Sequence, residues 1–266
     1  MTKRWVVAAA LGALLFGVLL TGRGVRAEIL PVPDSVRQLR TPHEDVHELR
    51  AIDGSRRLGE QRLRAAMEGD RFVLQVATRF VDGEQWDERA EMDVSHGYRA
   101  YSFAKTVQRD GSVIAEGHVD FTSGKVQWRA DGVAHERTFA FKPDTYVGPM
   151  LGVVLAAVPG RSSGRASFRA LVFRPEPQVY TVRAEVVSEE DFRAGGLVEP
   201  TTKLRLKADL GAVQNALFAK LIPDHYFWFT RDETPAFLAF EGSLGSAGPE
   251  LRMIPERRPT RTAKAG

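Results

Sequence analysis

The chain has 266 residues, of which 43% are hydrophobic and 27% charged, and its formal net charge is +3. This length and apolar content are enough for one large domain with a full hydrophobic core. The sequence contains no cysteine. It therefore excludes disulfides and the lipid anchor that exported proteins attach to a cysteine after their signal, and stability has to come from packing.

The first 27 residues are organised like a secretory signal. A basic start precedes an uncharged run from Trp5 to Thr21, and Val25 and Ala27 are the small residues that signal peptidase recognises. The apolar run is shorter than the ~20 residues that a membrane span needs. We predict cleavage after Ala27 and export to the periplasm. Two arginines near this site leave an uncleaved membrane anchor as the alternative.

The overall positive charge comes from the two ends of the chain. Residues 1–27 carry four basic residues and no acid, so their removal leaves a net charge of −1. Residues 256–266 form a basic segment that we predict to be disordered, and without it the net charge is −4. A mildly acidic body excludes nucleic acid as a partner, since backbone contacts need clustered Lys and Arg.

We interpret the region between these ends as one β domain. Residues 28–45 bear prolines and are weakly patterned, so we predict an extended lead-in there and place the domain at 46–255. Its alternating segments are separated by turn signals such as Asp53-Gly54, Asp82-Gly83 and Asp110-Gly111. This spacing is typical of an antiparallel meander.

The clearest element is a hairpin with arms Val113–Phe121 and Lys125–Asp131. Both arms alternate strictly between apolar and polar residues, which predicts two strands with one buried face. Ser123-Gly124 is taken as a two-residue loop. This loop predicts a register in which Val119 faces Trp128, so that apolar residues meet across the strands.

Two helices are predicted within the β pattern. The segment 147–158 is uncharged, with large apolar residues at helical spacing on one side and small residues on the other. A second helix is predicted at about 211–221. The predicted fold is therefore a mainly β domain, a strongly curved antiparallel half-barrel or open barrel with two short helices on or inside it.

His43, Glu44 and His47 form an H-E-x-x-H motif, the pattern of a zinc-dependent hydrolase. The motif needs a helix that places both histidines on one face, and a third ligand. Asp45 introduces a charge into the motif, and only a short segment is available before the next turn. We therefore expect no metal or other cofactor, and a metal-dependent hydrolase is the least favoured of three functions.

The uncharged helix and the aromatic run Tyr226–Phe229 allow two interpretations. They fill a solid core, or they line a cavity for an apolar ligand. For the second case the candidate ligand-binding residues are Met150, Leu151, Val154, Leu155, Trp128 and Trp228.

A resemblance supports the cavity. The exported start, Asp53-Gly54 followed by Gly59, the hairpin from Asp120 to Trp128, the apolar helix and the late strands together resemble bacterial periplasmic β-rich proteins of a domain-of-unknown-function type. These in turn resemble the half-barrel of lipoprotein-localisation factors. The resemblance implies a non-enzymatic periplasmic protein that binds an acyl chain or another envelope component. We predict an exported, non-catalytic protein that binds a lipid-like ligand; a structural or protein-interaction domain with a solid core is the alternative.

Overall fold

The computed structural model describes residues 29–37, 39, 41–130, 132–174, 176–194, 196–209, 224–244 and 250–256. In chain order its first strands are β1 (His43–Ala51), β2 (Arg57–Glu68), β3 (Arg71–Phe80), β4 (Glu84–Asp93), β5 (Arg99–Arg109), β6 (Ser112–Asp120), β7 (Lys125–Ala130) and β8 (Val133–Thr138). The later strands are β9 (Thr145–Val147), β10 (Arg165–Arg174), β11 (Glu176–Ala194), β12 (Leu197–Ala208), β13 (His225–Thr230), β14 (Phe237–Ser243) and β15 (Glu250–Pro255). The helices are α1 (Asp34–Arg37) and α2 (Met150–Leu155).

All fifteen strands belong to one sheet. Its order is β8-β7-β6-β5-β4-β3-β2-β1-β15-β14-β13-β12-β11-β10-β9, so the first and last strands pair at its centre. The pairs are antiparallel except β9 and β10, which run parallel. The predicted mainly β, mostly antiparallel, open sheet is confirmed: the hydrogen-bonded ladder ends at β8 and β9 and does not close.

Alternation along the strands creates an inner and an outer face. On β3, Phe72, Leu74, Val76 and Thr78 are buried, and their partners on neighbouring strands share that face. Inner residues from both halves of the sheet form one main hydrophobic core. A smaller cluster of Phe192, Trp228, Ala239 and Ile254 is separate from it.

The predicted hairpin exists, but its register differs from the prediction by two residues. Val119 pairs with Val126, and Gly117 pairs with Trp128. A shift by two residues leaves every side chain on its original face, because side chains alternate with a period of two. The apolar face is therefore as predicted, whereas the predicted contact between Val119 and Trp128 is wrong.

The cause of the shift is the side chain of Asp120. Its carboxylate accepts hydrogen bonds from the Thr122 amide at 2.8 Å, the Ser123 amide at 3.1 Å and the Ser123 hydroxyl at 2.7 Å. These bonds lower the pKa of Asp120, and the Gly124 amide donates to the Asp120 carbonyl at 2.9 Å. The loop is thus longer than the predicted Ser123-Gly124 turn.

The first predicted helix is present as α2, although it is shorter than the predicted 147–158. Pro149 precedes it in helical conformation, and Gly148 before that has a φ of +52°. The second predicted helix, at 211–221, lies outside the described residues. In the part of the chain that the structure describes, no helix has the length and apolar character to span a membrane.

Candidate functional site

The side chains on one side of α2 are fully buried. Met150, Val154, Leu155 and the following Val158 expose none of their surface and belong to the main core. Leu155 and its neighbours on this side therefore contribute to the solid interior of the sheet, where large side chains pack closely.

The other side of α2 is apolar and only partly covered by packing against the main core. Leu151, Gly152, Val153, Ala156 and Ala157 are each only partly buried. A Cβ built on Gly152 would meet no atom within 4 Å. We call these five residues the open side of α2. It is the accessible apolar surface that a ligand of this helix could contact.

The helix lies against the inner face of the sheet. A Cβ on Gly148 would lie 3.0 Å from the Phe103 ring and 3.4 Å from Glu88 Oε1. Phe103 and Glu88 belong to β5 and β4, so α2 begins directly beside these two strands. The chain reaches this position from β9, the last strand of the sheet.

Strands β9 and β10, at one end of the sheet, pack through side chains on the inner face of the interior strands β5 and β6 beside α2. Phe173 of β10 lies against Gly117 of β6, where a Cβ would be 3.2 Å from the ring, and its ring centroid is 6.4 Å from that of Phe103. The Tyr146 hydroxyl of β9 donates to the Tyr98 carbonyl at 2.8 Å. We call this contact between β5–β6 and β9–β10 the seam.

Polar groups accompany the apolar surface on the inner face. Lys105 Nζ lies 3.4 Å from Glu88 Oε1 and 3.6 Å from the centroid of the Trp86 ring. Lys105 is also the cross-strand partner of Gly117, so this charged pair stands next to the seam. Carboxylate and aromatic ring together stabilise the half-buried ammonium.

A second polar residue, His47, lies deeper in the interior of the sheet. His47 is 2% exposed, and its ring centroid lies 5.3 Å from that of Phe237. Its Nδ1 has no hydrogen-bond partner. Burial lowers the pKa of His47 below its ordinary value of 6.5, so the imidazole is neutral at pH 7. Beside it, Gln61 Nε2 donates to Thr78 Oγ1 at 3.0 Å. The small exposed fraction of His47 indicates a packed residue rather than a ligand contact.

The H-E-x-x-H residues lie on strand β1, not on a helix. His43 and His47 share the inner face, whereas Glu44 projects from the outer face. His43 Nε2 contacts Asp45 Oδ2 at 2.7 Å. The arrangement that a zinc hydrolase requires is therefore not formed, and among the described residues no cluster of three or more potential metal ligands occurs.

The structure separates the six predicted ligand-binding residues. Met150, Val154 and Leu155 are in the core, and Leu151 is on the open side of α2. The two tryptophans lie on strands. Trp128 is half-buried, packs against the main core and stacks on the His135 ring of β8, with 5.1 Å between the ring centroids. Trp228 is 4% exposed in the smaller cluster, where its indole donates to Glu190 at 2.9 Å.

A shallow cavity of about 620 Å³ lies over β1–β5. Its side chains come mainly from the outer face and include Arg62, Arg64 and Arg89 together with Ala77 and Ala104. None of the six predicted residues lines it. Arg62 is bonded to Glu60, and Arg89 to Glu68 and Glu91. These groups form a solvated ionic surface.

The sequence analysis missed the residues at the seam. Lys105 and Glu88 are partners on the adjacent strands β5 and β4, whereas Phe173 of β10 reaches Gly117 beside them only because the sheet curves. Gly117 was the one residue whose sequence context indicated this contact, because a glycine inside an alternating strand often marks the close approach of another group. That group is Phe173.

Comparisons with known proteins support the fold alone. No protein family and no curated protein matches this chain. One solved structure that it resembles is the beta-barrel-like protein of domain of unknown function DUF1849 from Brucella abortus. The TM-score is 0.53 and the sequence identity 12%, over 86% of this chain and 98% of that one. The predicted likeness to a β-rich bacterial protein of unknown function is thus supported, whereas the likeness to lipoprotein-localisation factors stays a prediction.

Proposed function

We propose that this protein is exported to the periplasm and binds an apolar, lipid-like ligand on the open side of α2, without catalysing a reaction. The observation that carries the proposal is that one short helix inside the curved sheet has a fully packed side and an apolar side that keeps some exposed surface. Leu151 and Val153 stay partly exposed, and the space beside Gly152 is open. Exposed apolar surface of this kind is typical of binding sites.

The chemistry of the segment favours a hydrocarbon chain over an ionic ligand. The sequence from Val147 to Pro159 contains no charged residue. Gly152 and Ala156 are four positions apart and leave a low strip along the helix. Each buried methylene contributes about 0.8 kcal/mol, so an extended chain gains affinity with length. A ligand with a long alkyl chain is the class that fits.

Export rests on the sequence of residues 1–27, which lie outside the described residues. The test is N-terminal sequencing of the protein recovered from fractionated cells. We expect Glu28 as the first residue, in the periplasmic fraction. An intact N-terminus on membrane-bound protein would establish the uncleaved anchor instead.

The ligand is tested by purification without detergent, followed by mass spectrometry of co-purified lipids. Binding of a fluorescent undecanoic acid derivative is then compared in Gly152→Leu and Gly160→Leu. Both glycines have no atom within 4 Å of an added Cβ, but Gly160 follows the helix and is exposed. We expect Gly152→Leu to weaken binding at least tenfold and Gly160→Leu to leave it unchanged. Equal binding by both variants would contradict the proposed site.

The second candidate is a protein-interaction domain with a solid core. It is favoured by strand β8, whose six residues are all exposed at an edge of the sheet. Edge strands offer unpaired backbone groups to an added strand. Under this function the purified protein carries no lipid, and Gly152→Leu has no effect on partner binding.

A further inference from the structure

We propose that the ion pair of Glu88 and Lys105 binds the head group of the lipid-like ligand, and that this head group is neutral and carries hydroxyl groups. This inference rests on the proposed function and names the class of lipid, an alkyl chain attached to glycerol or to a sugar. The alkyl chain lies along the open side of α2, and the head group lies at the start of the helix.

The ion pair borders an accessible place at the start of α2. Gly148, two residues before the helix, is exposed, and a Cβ built on it would be 3.4 Å from Glu88 Oε1. Leu151 belongs to the open side of α2, and its amide donates to the Gly148 carbonyl at 3.2 Å. Only this one turn of the chain separates Glu88 from the open side. A ligand whose alkyl chain contacts Leu151 therefore reaches the ion pair with its polar end.

Stability does not explain an ion pair at this position. Glu88 and Lys105 are direct partners on β4 and β5, and their side chains are 11% and 23% exposed on the inner face. The free energy of taking two charges largely out of water often exceeds their mutual attraction. The next pair on the same face, Ala90 with Phe103, is apolar and buried. Apolar residues would thus serve the fold equally well at 88 and 105, and the charged pair indicates a polar ligand.

The chemistry of the pair favours a neutral head group. Its two charges cancel, so an anionic head group at Lys105 is repelled by the Glu88 carboxylate, and a cationic one at Glu88 is repelled by the Lys105 ammonium. An ammonium donates several hydrogen bonds and a carboxylate accepts several, so both groups keep bonding capacity after they pair. A hydroxyl group both donates and accepts. Adjacent hydroxyls, as in glycerol or a sugar, match a donor and an acceptor that lie side by side.

Aromatic rings accompany the pair on the same face. The centroid of the Trp86 ring lies 3.6 Å from Lys105 Nζ, and the Trp86 indole donates to Glu84 Oε1 at 2.6 Å, which fixes the ring. Gly117 pairs with both Lys105 and Trp128, so Trp128 lies on this face two strands away. Both tryptophans are half-buried. An indole offers an apolar ring face to the C–H groups of glycerol or a sugar.

The test compares ligands that share a twelve-carbon chain, by isothermal titration calorimetry. Dodecanoate and dodecyltrimethylammonium carry opposite charges, whereas monododecanoylglycerol and dodecyl maltoside are neutral and bear hydroxyls. We expect at least one neutral ligand to bind tenfold or more tightly than either charged ligand, and the tighter neutral ligand distinguishes glycerol from sugar. Any smaller difference overturns the head-group site while the proposed function stands. Absence of binding by all four ligands overturns both.

Two variants test the ion pair itself. Glu88→Gln leaves the ammonium unopposed, so we expect the preference to move at least tenfold towards dodecanoate. Lys105→Gln leaves the carboxylate unopposed, and we expect an equal move towards dodecyltrimethylammonium; a general loss of folding cannot produce opposite shifts. The matched controls are Lys125→Gln and Glu136→Gln, which break a lysine–glutamate pair of β7 and β8 at 2.9 Å. We expect no shift in the controls. An unchanged preference in either site variant, or equal shifts in the controls, contradicts the site.

Discussion

The two leucines of α2 give the sharpest test of its two-sided role. Leu155 has no exposed surface and lies in the main core, whereas Leu151 is only partly buried on the open side of the helix. Truncation to alanine removes three carbon atoms from each. The same chemical change is thus made on the same short helix in two different environments, and the pair controls for helix propensity.

The magnitudes follow from burial. For Leu155→Ala the lost transfer free energy is about 2.4 kcal/mol at about 0.8 kcal/mol per carbon, and the void adds to it, so we expect a loss of about 3–4 kcal/mol. For Leu151→Ala the removed atoms have fewer protein neighbours. We expect a loss of about 1 kcal/mol there, because part of the side chain already contacts solvent.

Urea unfolding followed by the fluorescence of Trp86, Trp128 and Trp228 measures both values. The comparison requires that the dependence of the unfolding free energy on urea concentration, the m-value, is the same in both variants and the wild type. A loss above about 3 kcal/mol in Leu151→Ala would refute the open side, because it would place Leu151 in a packed environment. A loss below about 1 kcal/mol in Leu155→Ala would refute the packed side.

Two further predictions concern a turn and a buried histidine. Gly124→Ala should cost about 2 kcal/mol or more, against about 1 kcal/mol for Gly111→Ala, by thermal or urea unfolding. Both glycines have φ near +77°, but only at Gly124 does a Cβ meet a backbone atom, the Phe139 oxygen at 2.2 Å; equal losses would contradict this account. Burial lowers the pKa of His47 in the folded state, so the unfolded chain binds a proton at His47 at a pH at which the folded chain does not. Stability should thus be retained above pH ~6.5 and fall as the pH drops below it. Urea titrations from pH 5 to 8 measure the free energy of unfolding, and His47→Gln should reduce its decrease at acidic pH. An unchanged decrease in this variant would mean that other groups cause it.

The sequence predicted the features that depend on local pattern. Alternation in Val113–Phe121 identified a strand and its buried face, and the uncharged segment at 147–158 identified α2. The register of the hairpin was wrong because it depends on a side chain, Asp120, that bonds three donors of its own loop. Such competition between side chain and backbone is not visible in hydrophobic periodicity.

The candidate site was predicted only in part, for two physical reasons. Trp228 lies in a run of four aromatic residues, so alternation could not show which of them face the main core, and it packs with Phe192 instead. The seam depends on curvature of the whole sheet, which brings Phe173 to Gly117 from distant strands. Neither local propensity nor strand pairing contains that information.

The pairing of β1 with β15 has a consequence for how the protein is made. Ala51 pairs with Leu251, so the ladder that unites the two halves of the sheet joins the start of the domain to its end. Each half is a meander that can assemble from local contacts, but their union waits for the last strand to be available. We expect a slow final step in refolding, and a chain that lacks 250–255 to stall as two meanders with open edges. Under the proposed export, this order would postpone completion of the fold until strand β15 has crossed the membrane.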